Sequence, residues 1–272
     1  MRQVWPGGQA QTSTVVHFIV LALAILLTPS ADAQSTVDVR FTEGLVRGFL
    51  VVRALDGNVL AHGDLAQVPH GEKVTTRLVL RFKDGSTHDE TVDFSQRNSF
   101  QVLNYRLVQK GPVFKVPIDM TIDRSTGKVR VRYTDEDGKE KVESERLELP
   151  PDLANGMIPV LLKNIPKGVK QTTVSMVAAT PKPRLVTLVI TPDGEAKFLA
   201  GGVSHEATQY RIRIQIGGIL GMLAPLVGKQ LQDSRAWVLA GDAPVFVRME
   251  GPLFVGGPSW QIEPASPEWQ GR

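Results

Sequence analysis

The chain has 272 residues, 42% hydrophobic and 22% charged, which excludes a disordered, collagen-like or polytopic membrane protein. Thirty-one Lys and Arg against 28 Asp and Glu leave a net charge of only +3; the pI of 9.2 overstates the basicity. There is no cysteine, and a chain of this length buries enough surface to hold a core without disulfide or metal staples.

In chain order, the first feature is the apolar run Val15 to Leu27 behind a polar segment carrying Arg2, ending at Ala31-Asp32-Ala33. Small residues at Ala31 and Ala33 match a secretory cleavage site, so residues 1–33 are expected to be a signal peptide with Gln34 as the mature start. Thirteen apolar residues fall short of the roughly 20 that span a bilayer. With no cysteine after the run, an acylated lipoprotein is excluded. The expected location is the bacterial periplasm, and the mature chain is expected to have no transmembrane helix.

Residues 34–272 read as one β-rich domain with a frayed C-terminal tail around Pro264 and Pro267. Asp56-Gly57, Asp84-Gly85, Asp137-Gly138 and Asp193-Gly194 each sit between runs rich in Val, Ile, Leu, Thr and aromatics, a strong hairpin signal because a type I′ turn needs positive φ at both central residues. With Asp137 and Gly138 as a two-residue loop, Glu136 faces Lys139, Arg132 faces Glu143 and Arg130 faces Glu145. All three pairs join opposite charges, so the basic row is neutralised by its own partner strand and no nucleic-acid face is expected.

Leu78, Leu80 and Phe82 alternate with Arg77 and Arg81, and Tyr210, Ile212, Ile214 and Ile216 with Gln209, Arg211, Arg213 and Gln215, the pattern of strands with one apolar and one charged face. Leu185 to Ile190 is apolar at nearly every position, so both its faces should be covered. One short helix is expected between Pro151 and Asn164, capped by Asp152, with Met157, Val160 and Leu161 facing inward and Pro159 limiting or kinking it. The predicted fold class is mainly β: an antiparallel curved sheet or half-barrel with one or two short helices.

The chemistry-bearing residues do not converge on a reaction. His62, His70, His88 and His205 lack metal-ligand spacing. The stretch Gly202 to Glu206 lacks the closing Gly of a nucleophile elbow and reads as a polar loop leading into a strand from Ala207. Asp135, Asp137 and Gly138 begin like a calcium loop, but Lys139 replaces the next ligand. No catalytic residue, metal or cofactor is expected.

One segment is unlike a plain β connection. Residues Gly217 to Gly228 are glycine-rich, apolar and uncharged. Three readings follow: a short helix plugging the sheet, the lining of a pocket for an apolar ligand, or a surface that dips into a membrane or partner. On the pocket reading the ligand-binding residues are Ile219, Leu220, Met222, Leu223 and Leu226, with Leu188 and Ile190 from the apolar strand. Trp237, Trp260 and Trp269, with Phe246 and Phe254, read as core anchors.

The string Leu149-Pro150-Pro151-Asp152-Leu153-Ala154-Asn155-Gly156-Met157, the segment Gly218 to Lys229, and Gly241-Asp242-Ala243-Pro244 with Gly257-Pro258-Ser259-Trp260 resemble a group of uncharacterised exported bacterial proteins. In pattern these are similar to β-rich envelope domains, including the half-barrels of LolA/LolB-type lipoprotein carriers, a likeness of fold alone. The expected function is non-enzymatic: binding an apolar or lipid-like ligand, or an envelope protein partner, within the cell envelope. The alternative is a structural or interaction module with no cavity; a hydrolase ranks last.

Overall fold

Three of the connections between successive strands in the first half of the fold are three-residue loops closed by glycine. A computed structural model describes residues 36–200, 203–215, 232–239 and 241–265, with only the backbone of 198–200. The first strands are β1 (Val46–Ala54), β2 (Val59–His70), β3 (Lys73–Phe82), β4 (Thr87–Gln96), β5 (Phe100–Lys110), β6 (Ile118–Asp123), β7 (Lys128–Thr134) and β8 (Glu140–Arg146). A helix, α1 (Ile158–Asn164), leads to β9 (Thr172–Ala178), β10 (Arg184–Ala200), β11 (Val203–Gln215), β12 (Ser234–Leu239), β13 (Val245–Pro252) and β14 (Ser259–Pro264). The fourteen strands form one antiparallel sheet in which β1 pairs with both β2 and β14, leaving β8 and β9 as its ends.

Three of the four Asp-Gly pairs do turn hairpins, with a different geometry from the one expected. Gly57, Gly85 and Gly138 donate their amides to the carbonyls of Ala54, Phe82 and Asp135, three residues back. Their φ values are 90, 87 and 77°. Each loop is therefore a turn followed by a left-handed glycine, three residues long instead of two. The extra residue moves the β7–β8 register by one, so Arg132 faces Val142 and Arg130 faces Ser144. Glu143 and Glu145 then lie on the same face as Val131 and Val129, and the three expected charge pairs do not form. Arg132 instead reaches Glu140 at 3.7 Å.

Asp193-Gly194 is not a hairpin turn. Both residues lie opposite Gln209 in a bulge within β10, where the pairing steps from Pro192–Tyr210 to Glu195–Thr208 and Gly194 has a φ of 109°. The strand continues to Ala200, and β11 begins at Val203. His205 and Glu206 are thus strand residues, opposite Phe198 and Lys197, because pairing with β10 extends over what reads in isolation as a polar loop.

The sheet curls until its halves meet. Phe94, Val102, Met120 and Val129 from β4–β7 share one buried cluster with Val174, Ile190, Ile212 and Val238 from β9–β12. Met157, Val160 and Leu161 of the helical region fill the same cluster, as their spacing implied, and Leu162 joins them. The helix starts later than expected: Met157 is its N-cap and Pro159 lies in its first turn, where a missing amide costs nothing. Asp152 does not cap it; its carbonyl accepts from the Ser175 amide instead.

That contact covers one end of the sheet. Ala154 donates to the Ser175 carbonyl at 2.7 Å, and the Asn155 side chain both accepts from the Val177 amide (2.8 Å) and donates to its carbonyl (2.9 Å). The Asn155 amide thus imitates a neighbouring strand. Replacing Asn155 by Ala would leave two buried backbone groups of β9 without partners, a loss of about 2–3 kcal/mol; urea denaturation checks it. The other end, β8, turns Lys141, Glu143 and Glu145 to the inner side, a protection against edge-to-edge pairing. Glu145 also meets Arg184 of β10 at 3.0 Å.

The outer face is charged. Arg77–Asp89 (2.6 Å), Arg106–Asp119 (3.0 Å), Arg211–Asp193 (2.9 Å), Arg235–Glu250 (3.3 Å) and Arg81–Asp64 link outward-pointing side chains of β2–β6 and β10–β13. A transmembrane barrel turns an apolar band to lipid; this outer surface has the opposite character. Among the described residues no helix is long and apolar enough to cross a membrane. Trp237, expected in the core, lies half-buried with the Arg248 guanidinium 5.7 Å from its ring centroid. Trp260 is buried, and Phe246 and Phe254 pack against the core clusters; Trp269 lies outside the described residues.

Candidate binding face

The inner face of the sheet holds two separate buried clusters. The larger, between the sheet halves, has been described. The second lies under β1–β3 and β14 and contains Val52, Ala61, Leu80, Phe82, Phe114, Trp260 and Ile262. Phe82, Phe114, Phe254 and Trp260 form a chain of ring contacts there, with centroids 5.2–6.0 Å apart.

At the edge of the second cluster, against which Leu50 and Leu78 pack, runs an apolar strip that is only partly covered. The cross-strand row Gly48–Leu65–Leu78–Glu90–Leu107 lies on the inner face, next to Leu50–Gly63–Leu80–His88–Gln109. Leu50, Leu65 and Leu78 are half-buried, whereas Leu80 and Leu107 are fully buried. Leu65, and Met249 of β13, belong to neither cluster. Gly63 keeps the strip low: a Cβ there would stand 2.6 Å from Leu80 Cδ2 and 3.2 Å from Leu50 Cβ.

Polar groups border the strip. The Tyr105 hydroxyl donates to Glu90 at 2.7 Å, and burial together with the Glu90 charge raises the Tyr105 pKa well above its ordinary value. His88 is buried beside Phe114, their ring centroids 6.5 Å apart. Desolvation by that burial lowers its pKa, against the smaller pull of Glu90 and Asp89, and so favours the neutral ring. The alternation in Thr87 to Gln96 could have found both residues: His88, Glu90, Val92, Phe94 and Gln96 share one strand face, and a histidine and a glutamate in line with Val and Phe signal polar groups turned inward.

The expected ligand-binding residues divide in two. Leu188 and Ile190 are fully buried in the larger cluster, with Ile190 opposite Ile212 and Leu188 opposite Ile214 and Val174. Ile219, Leu220, Met222, Leu223 and Leu226 lie outside the described residues. The other face of the Leu185 to Ile190 strand is not fully covered. Leu185 is 38% exposed and lines, with Ser175, Thr187 and Glu148 to Pro151, a shallow outer groove of about 450 Å³. Among the described residues no group of three or more His, Asp or Glu side chains is placed to hold a metal ion.

No protein-family model and no curated protein matches the chain. A crystal structure of a β-barrel-like protein of the domain of unknown function DUF1849, from Brucella abortus, is similar over 83% of this chain and 98% of that one. The identity is 12% and the TM-score 0.46; both proteins are β-rich.

Proposed function

We propose that the protein is an exported, non-enzymatic envelope protein that binds a hydrophobic or lipid-like molecule on the inner face of its curved sheet. The observation that carries this reading is the half-buried strip of Leu50, Leu65 and Leu78 on the inner face, in which Leu50 and Leu78 pack against the second cluster on one side and Leu65 packs in neither. A ligand laid along it gains about 25 cal/mol for each Å² of apolar surface withdrawn from water, before the costs of association. The half-barrel carriers that the chain resembles in pattern bind by the same physical means, a likeness of fold alone.

The burial of Leu188 and Ile190 favours the alternative, an interaction module whose interior is filled by its own side chains. Mass spectrometry of organic extracts from protein purified from periplasm without detergent separates the two. A stoichiometric apolar molecule, absent from an unrelated exported control, is the expected result. An empty protein that takes up neither a fluorescent fatty acid nor a fluorescent acyl ester overturns it. Leu65→Ser is expected to weaken binding of such a probe about tenfold with a stability loss below about 1 kcal/mol, since Leu65 packs in neither cluster.

A further inference from the structure

Gln109 fixes the hydrogen-bonding state of His88. Its Nε2 donates to the Leu253 carbonyl at 2.9 Å, which sets the orientation of the amide, and the same nitrogen lies 3.1 Å from His88 Nδ1. An amide nitrogen only donates, so Nδ1 accepts and the neutral ring carries its proton on Nε2. Among the described residues that buried Nε2 has no partner. The two ring nitrogens lie on opposite sides of the ring, so the free donor is on the side away from Gln109 and β5, the side of the cross-strand neighbour Leu80. A buried donor of this kind is costly unless an acceptor reaches it.

We infer that the molecule taken by this face is a neutral acyl compound, an ester bearing an alkyl chain, whose carbonyl oxygen accepts from His88 Nε2 while the chain lies along Leu50, Leu65 and Leu78. The inference rests on the binding reading above and narrows it to a ligand class. A fatty-acid anion also offers an acceptor, but Glu90 stands two residues along the same strand face, half-buried. The inner positions of β1–β5, from Val46 through Gln109, hold no Lys or Arg to offset a second negative charge. Two carboxylates brought together in a partly desolvated site repel strongly. An ester accepts the same hydrogen bond without that repulsion, and Glu90 can accept from a free hydroxyl of a partial ester.

The test compares a fluorescent monoacylglycerol with the fluorescent fatty acid of the same chain length, titrated at pH 7.5 into wild type, Glu90→Gln and His88→Phe. The monoacylglycerol is expected to bind about tenfold more tightly to wild type. Glu90→Gln, which keeps an acceptor for the Tyr105 hydroxyl, should raise fatty-acid affinity about tenfold and leave the ester little changed. His88→Phe should weaken the ester about fivefold, the contribution of one neutral hydrogen bond. Equal binding of the two probes, unmoved by Glu90→Gln, overturns the ligand class while the binding reading stands. Binding of neither probe overturns both. If His88→Phe fails to fold, the Glu90→Gln comparison decides alone.

Discussion

Replacing Lys163 by Met should destabilise the fold by about 3 kcal/mol, a fall in Tm of roughly 6–12 °C for a domain of this size. The cause is Glu43, whose side chain is only 5% exposed. Its carboxylate is held by Lys163 Nζ at 2.6 and 2.8 Å and by Gln67 Nε2 at 2.9 Å. Without the lysine, a buried negative charge keeps one neutral hydrogen bond, and breaking one side of such a pair costs far more than the intact pair contributes. The value is set at the low end of the range because Lys163 retains 18% exposure. The double change Glu43→Gln with Lys163→Met should recover most of the loss, and urea denaturation of the two singles and the double gives the coupling. A loss below about 1 kcal/mol for Lys163→Met would mean that water reaches Glu43 in solution.

The position of this pair explains why the effect is large. The backbone amides of Arg40 and Phe41 donate to the Asn164 side chain at 2.9 and 2.8 Å, and the Glu43 amide donates to Gln96 Oε1. The segment before β1 is thereby tied both to α1 and to the end of β4. Loss of Lys163 loosens one of the few links between the first described residues and the helix that fills the larger cluster.

The second large effect is expected at a residue the sequence assigns to ligand binding. Ile190→Ala should cost about 3 kcal/mol, within the range of roughly 2–5 for large-to-small changes in a packed core. Ile190 is 1% exposed and sits among Ile212, Val174 and the helix residues of the same cluster. If Ile190 instead lined a ligand cavity, the same change would leave the stability of the empty protein nearly intact and lower probe affinity. Thermal denaturation of delipidated protein, with and without a fluorescent acyl ester, separates these outcomes. A contrast with Leu65→Ser, in which binding falls and stability does not, is the result expected if the ligand lies along the Leu50, Leu65 and Leu78 strip.

Of the candidate ligand-binding residues, Leu188 and Ile190 are fully buried in the larger cluster, and the other five lie outside the described residues. Apolar content alone marked Leu188 and Ile190, but an apolar strand is apolar whether it faces a ligand or another part of its own sheet. The separating feature is partial exposure, and that depends on how far the sheet curls. Leu78 and Leu80 show the point most directly. They share one face of β3 and one kind of side chain, yet Leu80 is fully buried against the aromatic cluster and Leu78 remains partly open. The polar border, His88 and Glu90, is legible in the alternation of β4, where both residues share a face with Val92 and Phe94.

The sequence by itself determined what short-range physics controls. The antiparallel β class, hairpins at three of four Asp-Gly pairs, the inward face of the helix α1 and the two-faced strands at Leu78 to Phe82 and Tyr210 to Ile214 all follow from side-chain period and turn chemistry. The tertiary structure decided what depends on one residue of loop length or on distant partners. A left-handed glycine after the turn moved the β7–β8 register by one and turned Glu143 and Glu145 inward. Pairing with β11 drew Asp193-Gly194 into a bulge, and pairing of β1 with β14 joined the first and last described strands into one sheet. The division of its inner face into two buried clusters, with a half-buried strip at the edge of the second, rests on contacts between residues more than a hundred positions apart, which no local pattern encodes.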